Sequence, residues 1–489
     1  MKKLLLIMVL GLFAFALSAC DNTTTKAPTT AAPTTVAPTT AQPTTQAPTT
    51  AVPTTAAPTT GGVTQPTTTE YIPTKEIVLS YADWGDAELN QILIDAFEAK
   101  YPNITVELRQ DITGSGAEFT GNLLNAQAAG VLPDVFAIDN VPTGYYNGML
   151  LDITEYWDND PETDLVYPNI AATAIYNGSR YAVPSFQFIK GIFINMNIFD
   201  TYNIPLPDYD WTYTEFIDIA REIRQTGKND YIYGIDPWYG SLDFETTFPM
   251  QDYAEVGYNT WDGERFNFTS QAWIDAYNLK LDLMAENVVA AFTEAEMEIL
   301  GDIWPWYDGY IGLKIDGSWN LWMVEQMWMD NGIELGFWPY PGGAAGQFPP
   351  TILDYQVVSS QTENPVEAYM LAKWMTFGRE GWAVRLQAMK DRGDLMIDRF
   401  PVSDIPEIWA EIEDFTALVP GLQENVDLLP YAKPDTDKWL PGYKQFWEWV
   451  GNEENDYWNR INNGLVTPEV FASEWEEQIN QMIEDALAG

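Results

Sequence analysis

From residue 75 onward the chain switches repeatedly between two apolar spacings. Ile77 to Tyr81 is a short apolar run of the kind a buried strand carries. Leu89, Ile92, Leu93, Ala96 and Phe97 then fall on one face of a helix, with Asp86 placed to cap it. Pro102 stops that helix. Ile104, Val106 and Leu108 alternate, as a strand does. A second helix is predicted over about 117–129 and closed by Gly130, and Asp134 to Ile138 reads as a third strand. Strand, helix, strand, helix, strand predicts a parallel sheet with right-handed crossovers. Ligands of such sheets sit beyond the carboxyl ends of the strands. Two loops are thereby singled out, Asp83-Trp84-Gly85-Asp86 and Asp139-Asn140.

Later segments repeat the pattern. Thr212-Tyr213-Thr214-Glu215 has the form of a capping box before Phe216, Ile219, Ala220 and Ile223. Asn364-Pro365 opens a helix carrying Val366, Tyr369, Met370, Trp374 and Phe377 on one face, with Gly378 after it. Pro468 to Leu487 reads as an amphipathic helix. The fold class is α/β. More than 400 residues follow position 74 without a linker-like break, which suits two lobes with the chain crossing between them.

The first 74 residues follow other rules. Lys2 and Lys3 precede an apolar run from Leu4 to Leu17, too short to span a bilayer and suited to a signal peptide over 1–19. Leu17-Ser18-Ala19-Cys20 resembles a lipobox, in which small residues expose the cleavage site and the thiol accepts a diacylglycerol. Cys20 is the single cysteine, so the chain has no internal disulfide and its stability rests on packing. Prolines at 28, 33, 38, 43, 48, 53 and 58 punctuate a Thr/Ala background. Such a segment has nothing to form a core and is read, over 20–74, as an extended tether. At about 3.1 Å per residue, fifty residues reach roughly 150 Å.

Charge narrows the function. The formal net charge is −47 and there is no histidine. Such acidity argues against nucleic acid or anionic lipid surfaces as partners. Mechanisms that need an imidazole, including Ser-His-Asp triads and most zinc sites, are excluded. Most of the twenty tryptophans are read as core filling, and the surplus leaves some for stacking on a ligand.

A series of motifs completes the picture. Ala99-Lys100-Tyr101-Pro102-Asn103-Ile104-Thr105-Val106, Ala128-Ala129-Gly130-Val131-Leu132-Pro133-Asp134-Val135 and Tyr181-Ala182-Val183-Pro184 come first. Ile194-Asn195-Met196, Trp211-Thr212 through Glu215-Phe216, and Ile315-Asp316-Gly317-Ser318-Trp319 follow in order. Together they resemble the solute-binding proteins of ABC importers, in the group similar to maltose-binding protein, over nearly all of 75–489. The resemblance implies a two-lobed clamp with hinge crossings near 184–190, 352–357 and 396–402. Lobe 1 would be about 75–186 plus 357–396, and lobe 2 about 187–353 plus 400–489. It also implies capture of a carbohydrate, an oligosaccharide, and delivery to an ABC permease by a monomer held on the outer face of the cytoplasmic membrane through lipid on Cys20. No cofactor, metal or catalytic group is expected.

Carboxylates accept sugar hydroxyls in charge-assisted hydrogen bonds, and flat aromatic rings cover C–H faces. On that chemistry Asp83 and Trp84 follow the first strand into the cleft, the competing reading being a helix cap and a core tryptophan. Asp139 follows the third strand, where family members hold a hydroxyl. Phe186 lies at the first crossing and Asp354 at the second. Trp238 and Tyr239 resemble a second-lobe stacking segment, and Trp319 a family stacking position. Asp134 is read as structural, and Trp382 and Trp447 as core. Other readings stay open. A surface glycosidase would use paired carboxylates, but among so many acids a pair carries little information. The acidity also permits a peptide, polyamine or metal-cation ligand. Asp158-Asn159-Asp160 makes a poor calcium loop, because Pro161 follows and the turn glycine is missing. Ten arginines disfavour an anionic ligand, although one well-placed arginine suffices. A purely structural surface protein would have no need of a hinged cleft.

Overall fold

The computed structural model describes residues 73–488. The signal peptide, the lipid site at Cys20 and the repeat over 22–69 lie outside the described residues.

Strands β1 (Ile77–Ala82), β2 (Ile104–Leu108) and β3 (Val135–Ile138) form the predicted parallel unit. Asp86 caps the intervening Ala87–Lys100 helix, accepting from the amides of Glu88 at 3.0 Å and Leu89 at 3.1 Å. The second helix is Gly116–Ala128. A two-residue hairpin, β4 (Ile175–Tyr176) and β5 (Ser179–Arg180), precedes the long β6 (Val183–Asn195). Then come β7 (Tyr233–Ile235), β8 (Ile311–Gly317), β9 (Leu335–Trp338), β10 (Pro350–Val358) and β11 (Lys433–Pro434). The sheet order is β2-β1-β3-β10-β6-β8-β7, with β9 also on β6 and β11 on β10. β7 and β8 are parallel, β6 runs antiparallel to its neighbours, and β10 runs antiparallel to β3 and β6 but parallel to β11.

Strand β6 ties two halves together. Residues 183–189 pair with β10, and residues 190–195 pair with β8 and β9. Every residue of it is buried, which suits its near-continuous apolar run. Two of its buried polar groups are held, Gln187 Nε2 donating to the Pro401 carbonyl at 2.6 Å and Lys190 Nζ lying 2.7 Å from Asp243, while Gln187 Oε1 and Asn195 Oδ1 find no hydrogen-bond partner among the described residues. Gly191 must be glycine, because a Cβ there would sit 2.7 Å from the Trp338 carbonyl and 2.3 Å from Asn425. The register slips between Asp354 and Tyr355, leaving Ser185 as the extra residue of a bulge. Phe400 exchanges both backbone hydrogen bonds with Gln187, at 2.9 and 3.1 Å. The three segments expected to cross between lobes therefore lie side by side.

The helices start where the capping chemistry places them. Glu215 Oε2 accepts from the Thr212 amide at 2.8 Å, and Thr212 Oγ1 accepts back from Glu215 at 3.3 Å, opening the Tyr213–Gly227 helix. Pro365 opens Pro365–Met375, which stops before Phe377 because Thr376 leaves helical geometry. Asp134 joins elements: it accepts from the Ser80 amide at 2.9 Å and from the Ser80 and Thr362 hydroxyls at 2.8 and 2.6 Å. A separate core is built largely of aromatics from Gln271–Ala285, Tyr443–Val450 and Pro468–Ala488. Much of the tryptophan surplus goes there, Trp447 included, edge-on to Trp475 at 5.6 Å. Trp382 is buried in the core shared with residues of β1, β3 and β10.

Candidate functional site

The carboxyl ends of the parallel strands deliver four loops. Asp83 and Trp84 leave β1, and Asp139 leaves β3. Asp236, Pro237 and Trp238 leave β7, and Ser318 and Trp319 leave β8. Beside the crossing strands lies a cavity of about 570 Å³, within the range of small-molecule sites. Its wall includes Asp83, Phe186, Trp322, Trp382, Arg385 and Arg399.

Asp83 is held from three sides. It accepts from the Gly85 amide, from Gln356 Nε2 at 3.0 Å and from the Tyr81 hydroxyl at 3.2 Å. Burial, and then the neighbouring Asp83 charge, push the Tyr81 hydroxyl well above its ordinary range, so it stays a donor. Trp84 packs edge-on against Phe119 at 5.2 Å, and Lys438 Nζ stands 6.0 Å over its ring. Phe186 meets Trp382 at 5.7 Å, with Arg385 and Arg399 at 4.7 and 5.3 Å from its centre. Asp354 pairs with Lys438 at 2.5 Å.

These four predicted residues, Asp83, Trp84, Phe186 and Asp354, converge on one small cavity of about 10 Å³, room for roughly one water. Asp83 and Phe186 line the large cavity as well. Asp139, Trp238 and Trp319 line neither. Trp319 lies over Gly317 and meets Phe188 at 5.9 Å, and Arg399 faces that same phenylalanine at 5.5 Å. Trp238 is 51 % exposed, with Lys314 at 5.5 Å from its ring. Tyr239 opens a 3-10 turn, and its side chain lies outside the described ones.

Asp139 belongs to a charged group that sequence reasoning missed. Asn140 Nδ2 donates to the Asp437 carbonyl at 2.9 Å, and the Val141 amide donates to the Lys438 carbonyl at 2.8 Å. The segment after β11 is thus fastened to the end of β3. Burial, and then Asp437, push the Asp435 carboxyl up to about 8. Burial and then Asp139 raise Asp437 too. Burial opposes the Lys438 charge, but Asp354 and the surrounding acids outweigh it and hold its pKa above the usual lysine value. Arg385 and Arg399 were missed as well. A signal for them exists: Arg379, Arg385, Arg392 and Arg399 are four of the chain's ten arginines, packed into one stretch. Among the described residues no group of three or more acids is arranged to hold a metal ion. Asp160 instead pairs with Lys373 at 2.7 Å. No described helix is long and apolar enough to cross a membrane.

A mixed sheet flanked by helices, with strands shared between its halves and a cavity beside them, is the architecture of a ligand-binding clamp. Residues 82–377 match the bacterial extracellular solute-binding protein family, and the chain belongs to that family. It is 25 % identical over 330 residues to an ABC transporter extracellular-binding protein of Pyrococcus horikoshii, covering 64 % of this chain and 69 % of that one. It is 26 % identical over 230 residues to the melibiose/raffinose/stachyose-binding protein MelE of Bacillus subtilis, covering 40 % and 50 % respectively. Its fold is similar to that of the ABC substrate-binding protein Lmo0181 of Listeria monocytogenes, solved in complex with cycloalternan. That similarity has a TM-score of 0.63 at 17 % identity, covering 84 % of this chain and all of that one.

Proposed function

We propose that this protein captures a carbohydrate, an oligosaccharide, by closing two lobes on it and then delivers it to the membrane subunits of an ABC permease. The observation that carries the reading is the gathering of Asp83, Trp84, Phe186 and Asp354 beside the crossing strands, where Asp83 and Phe186 also line the cavity of about 570 Å³. Carboxylates accept hydroxyl protons, and rings cover sugar C–H faces. The relatives support it, since MelE is named for three oligosaccharides and the Listeria protein was solved with cycloalternan. In this reading Asp139, Trp238, Tyr239 and Trp319 complete the site when the lobes close. The lobes are about 75–186 with 357–396, and about 187–353 with 400–489. The hinge is the set of side-by-side segments around β6, β10 and Phe400. The protein acts as a monomer outside the cytoplasm, anchored by lipid on Cys20.

A thermal-shift screen against neutral oligosaccharides tests this. Ligand at one hundred times Kd stabilises by about 2.7 kcal/mol. A second reading, a cationic solute, is favoured by Asp139, Asp435 and Asp437 gathering around Lys438. If polyamines or basic peptides raise the melting temperature and no saccharide does, that second reading replaces the first.

A further inference from the structure

Arg385 stands on the Arg379–Arg392 helix and is 4 % exposed, yet it lines the large cavity. Its guanidinium lies between two rings, 4.7 Å from the centre of Phe186 and 5.6 Å from that of Trp382. Among the described residues its one hydrogen bond is a long one, from Nη2 to the Met375 carbonyl at 3.4 Å. No described carboxylate comes within ion-pair distance of it; Asp83 and Asp398 act on it only from further away. A guanidinium carries five N–H donors. Burying that charge without a contacting counter-charge is costly. The cost is visible in its acidity: burial, and then the like charge of Arg399, pull its pKa down to about 10.

The other cations of this wall are already matched. Asp398 takes Arg399 in a fork, Oδ1 from Nε at 3.0 Å and Oδ2 from Nη2 at 3.2 Å, which leaves Nη1 over. Arg392 is held by Asp86 and Asp394, each at 2.6 Å. Asp83 is occupied by Gly85, Tyr81 and Gln356. Arg385 is therefore the one cation of the cavity wall with no carboxylate in contact among the described residues. The flanking rings hold its plane fixed, and a fixed guanidinium plane suits two-point capture of a carboxylate.

We propose that the cavity takes the carboxylate of an acidic saccharide, a uronic acid residue, with Arg385 as its direct partner and Arg399 Nη1 as a second donor. The inference rests on the carbohydrate reading above and names the sugar class. The net charge of −47 opposes an anionic ligand at long range, so the carboxylate's attraction must come from direct contact with Arg385 and Arg399.

Titration calorimetry on the full chain decides it, with three kinds of probe: galacturonate, glucuronate and mannuronate disaccharides, their methyl esters, and the matching neutral disaccharides. At least one free acid is expected to bind ten-fold or more tightly than its own ester, with an advantage that shrinks as salt is added. Arg385→Gln is expected to abolish that advantage, so that free acid and ester bind alike. If Arg385→Gln does not fold, the acid-against-ester comparison on the unaltered chain still decides. Ester binding as tightly as acid, an acid preference that survives in Arg385→Gln, or neutral sugars binding while every uronate fails would each overturn this inference and leave carbohydrate capture standing. Failure of every saccharide, neutral and acidic, overturns both.

Discussion

Lys438 Nζ lies 2.5 Å from Asp354 Oδ1, joining the segment after β11 to the strand that crosses between the halves of the sheet. Both side chains are largely withdrawn from solvent, at 18 % and 11 % exposure. Breaking such a pair from one side leaves a poorly solvated charge behind. Lys438→Met is expected to lower unfolding stability by about 1–3 kcal/mol, less than for a fully buried pair because some water reaches it. Adding Asp354→Asn to it should recover at least half of that loss. Urea denaturation of both singles and the double measures the coupling, and additive losses would mean that the two groups do not interact.

Asp435 makes stability depend on pH although the chain has no histidine. An ordinary aspartate titrates near 4, whereas burial and then Asp437 push Asp435 up to about 8. The folded state therefore holds this proton more tightly than the unfolded state does. Its contribution is fully present below about pH 4 and is lost as the pH rises through 8. Asp435→Asn removes the dependence. The variant should gain at least about 2 °C in melting temperature over the parent at pH 8.5 compared with pH 5. The same difference at both pH values would show that the carboxyl is not neutral in the fold.

Asp134 accepts three hydrogen bonds linking β1 to the turn after β10. Asp134→Ala leaves three donors unmatched and is expected to cost about 2–4 kcal/mol. Ligand affinity, measured below the melting transition, should stay within twofold. A large loss of affinity at full folding would assign Asp134 to the site.

Trp238 is more than half exposed, so little packing depends on it. Trp238→Ala is expected to move the melting temperature by less than about 1 °C. If it stacks on the bound saccharide, affinity falls about fivefold, the equivalent of about 1 kcal/mol. Unchanged affinity would remove it from the site.

Cys20→Ala removes the thiol that would carry the lipid. The variant is expected to partition into the aqueous phase of a detergent extraction, where the parent goes to the detergent phase. Equal partitioning would show that the lipid is elsewhere or absent.

The parts of the fold legible in the sequence were those specified by neighbours in the chain. Asp86, Thr212 and Pro365 open helices through contacts three or four residues long, and β1 to β3 announce themselves by apolar spacing. Asp83 and Trp84 could be placed at the end of β1 because strand ends follow from strand positions. Arg385, Arg399 and Lys438 were not, because their meaning depends on partners far along the chain. Arg385 matters through Phe186, and Lys438 through Asp354. Lys438 sits among turn-forming residues, Pro434-Asp435-Thr436-Asp437, with no periodicity to mark them as buried. The continuity of the sheet was equally hidden, since a strand shared by two halves reads like any other apolar run.

That shared strand has a mechanical meaning. β6 is one unbroken, fully buried length of backbone belonging to both halves. Any rotation of one half against the other must be taken up as torsion along it and along β10 beside it. The bulge at Ser185 is where this torsion bar is weakest, because one residue there has no partner to hold its dihedral angles. A rotation of that kind would load Ser185 first, with its resistance set by the ladder on either side.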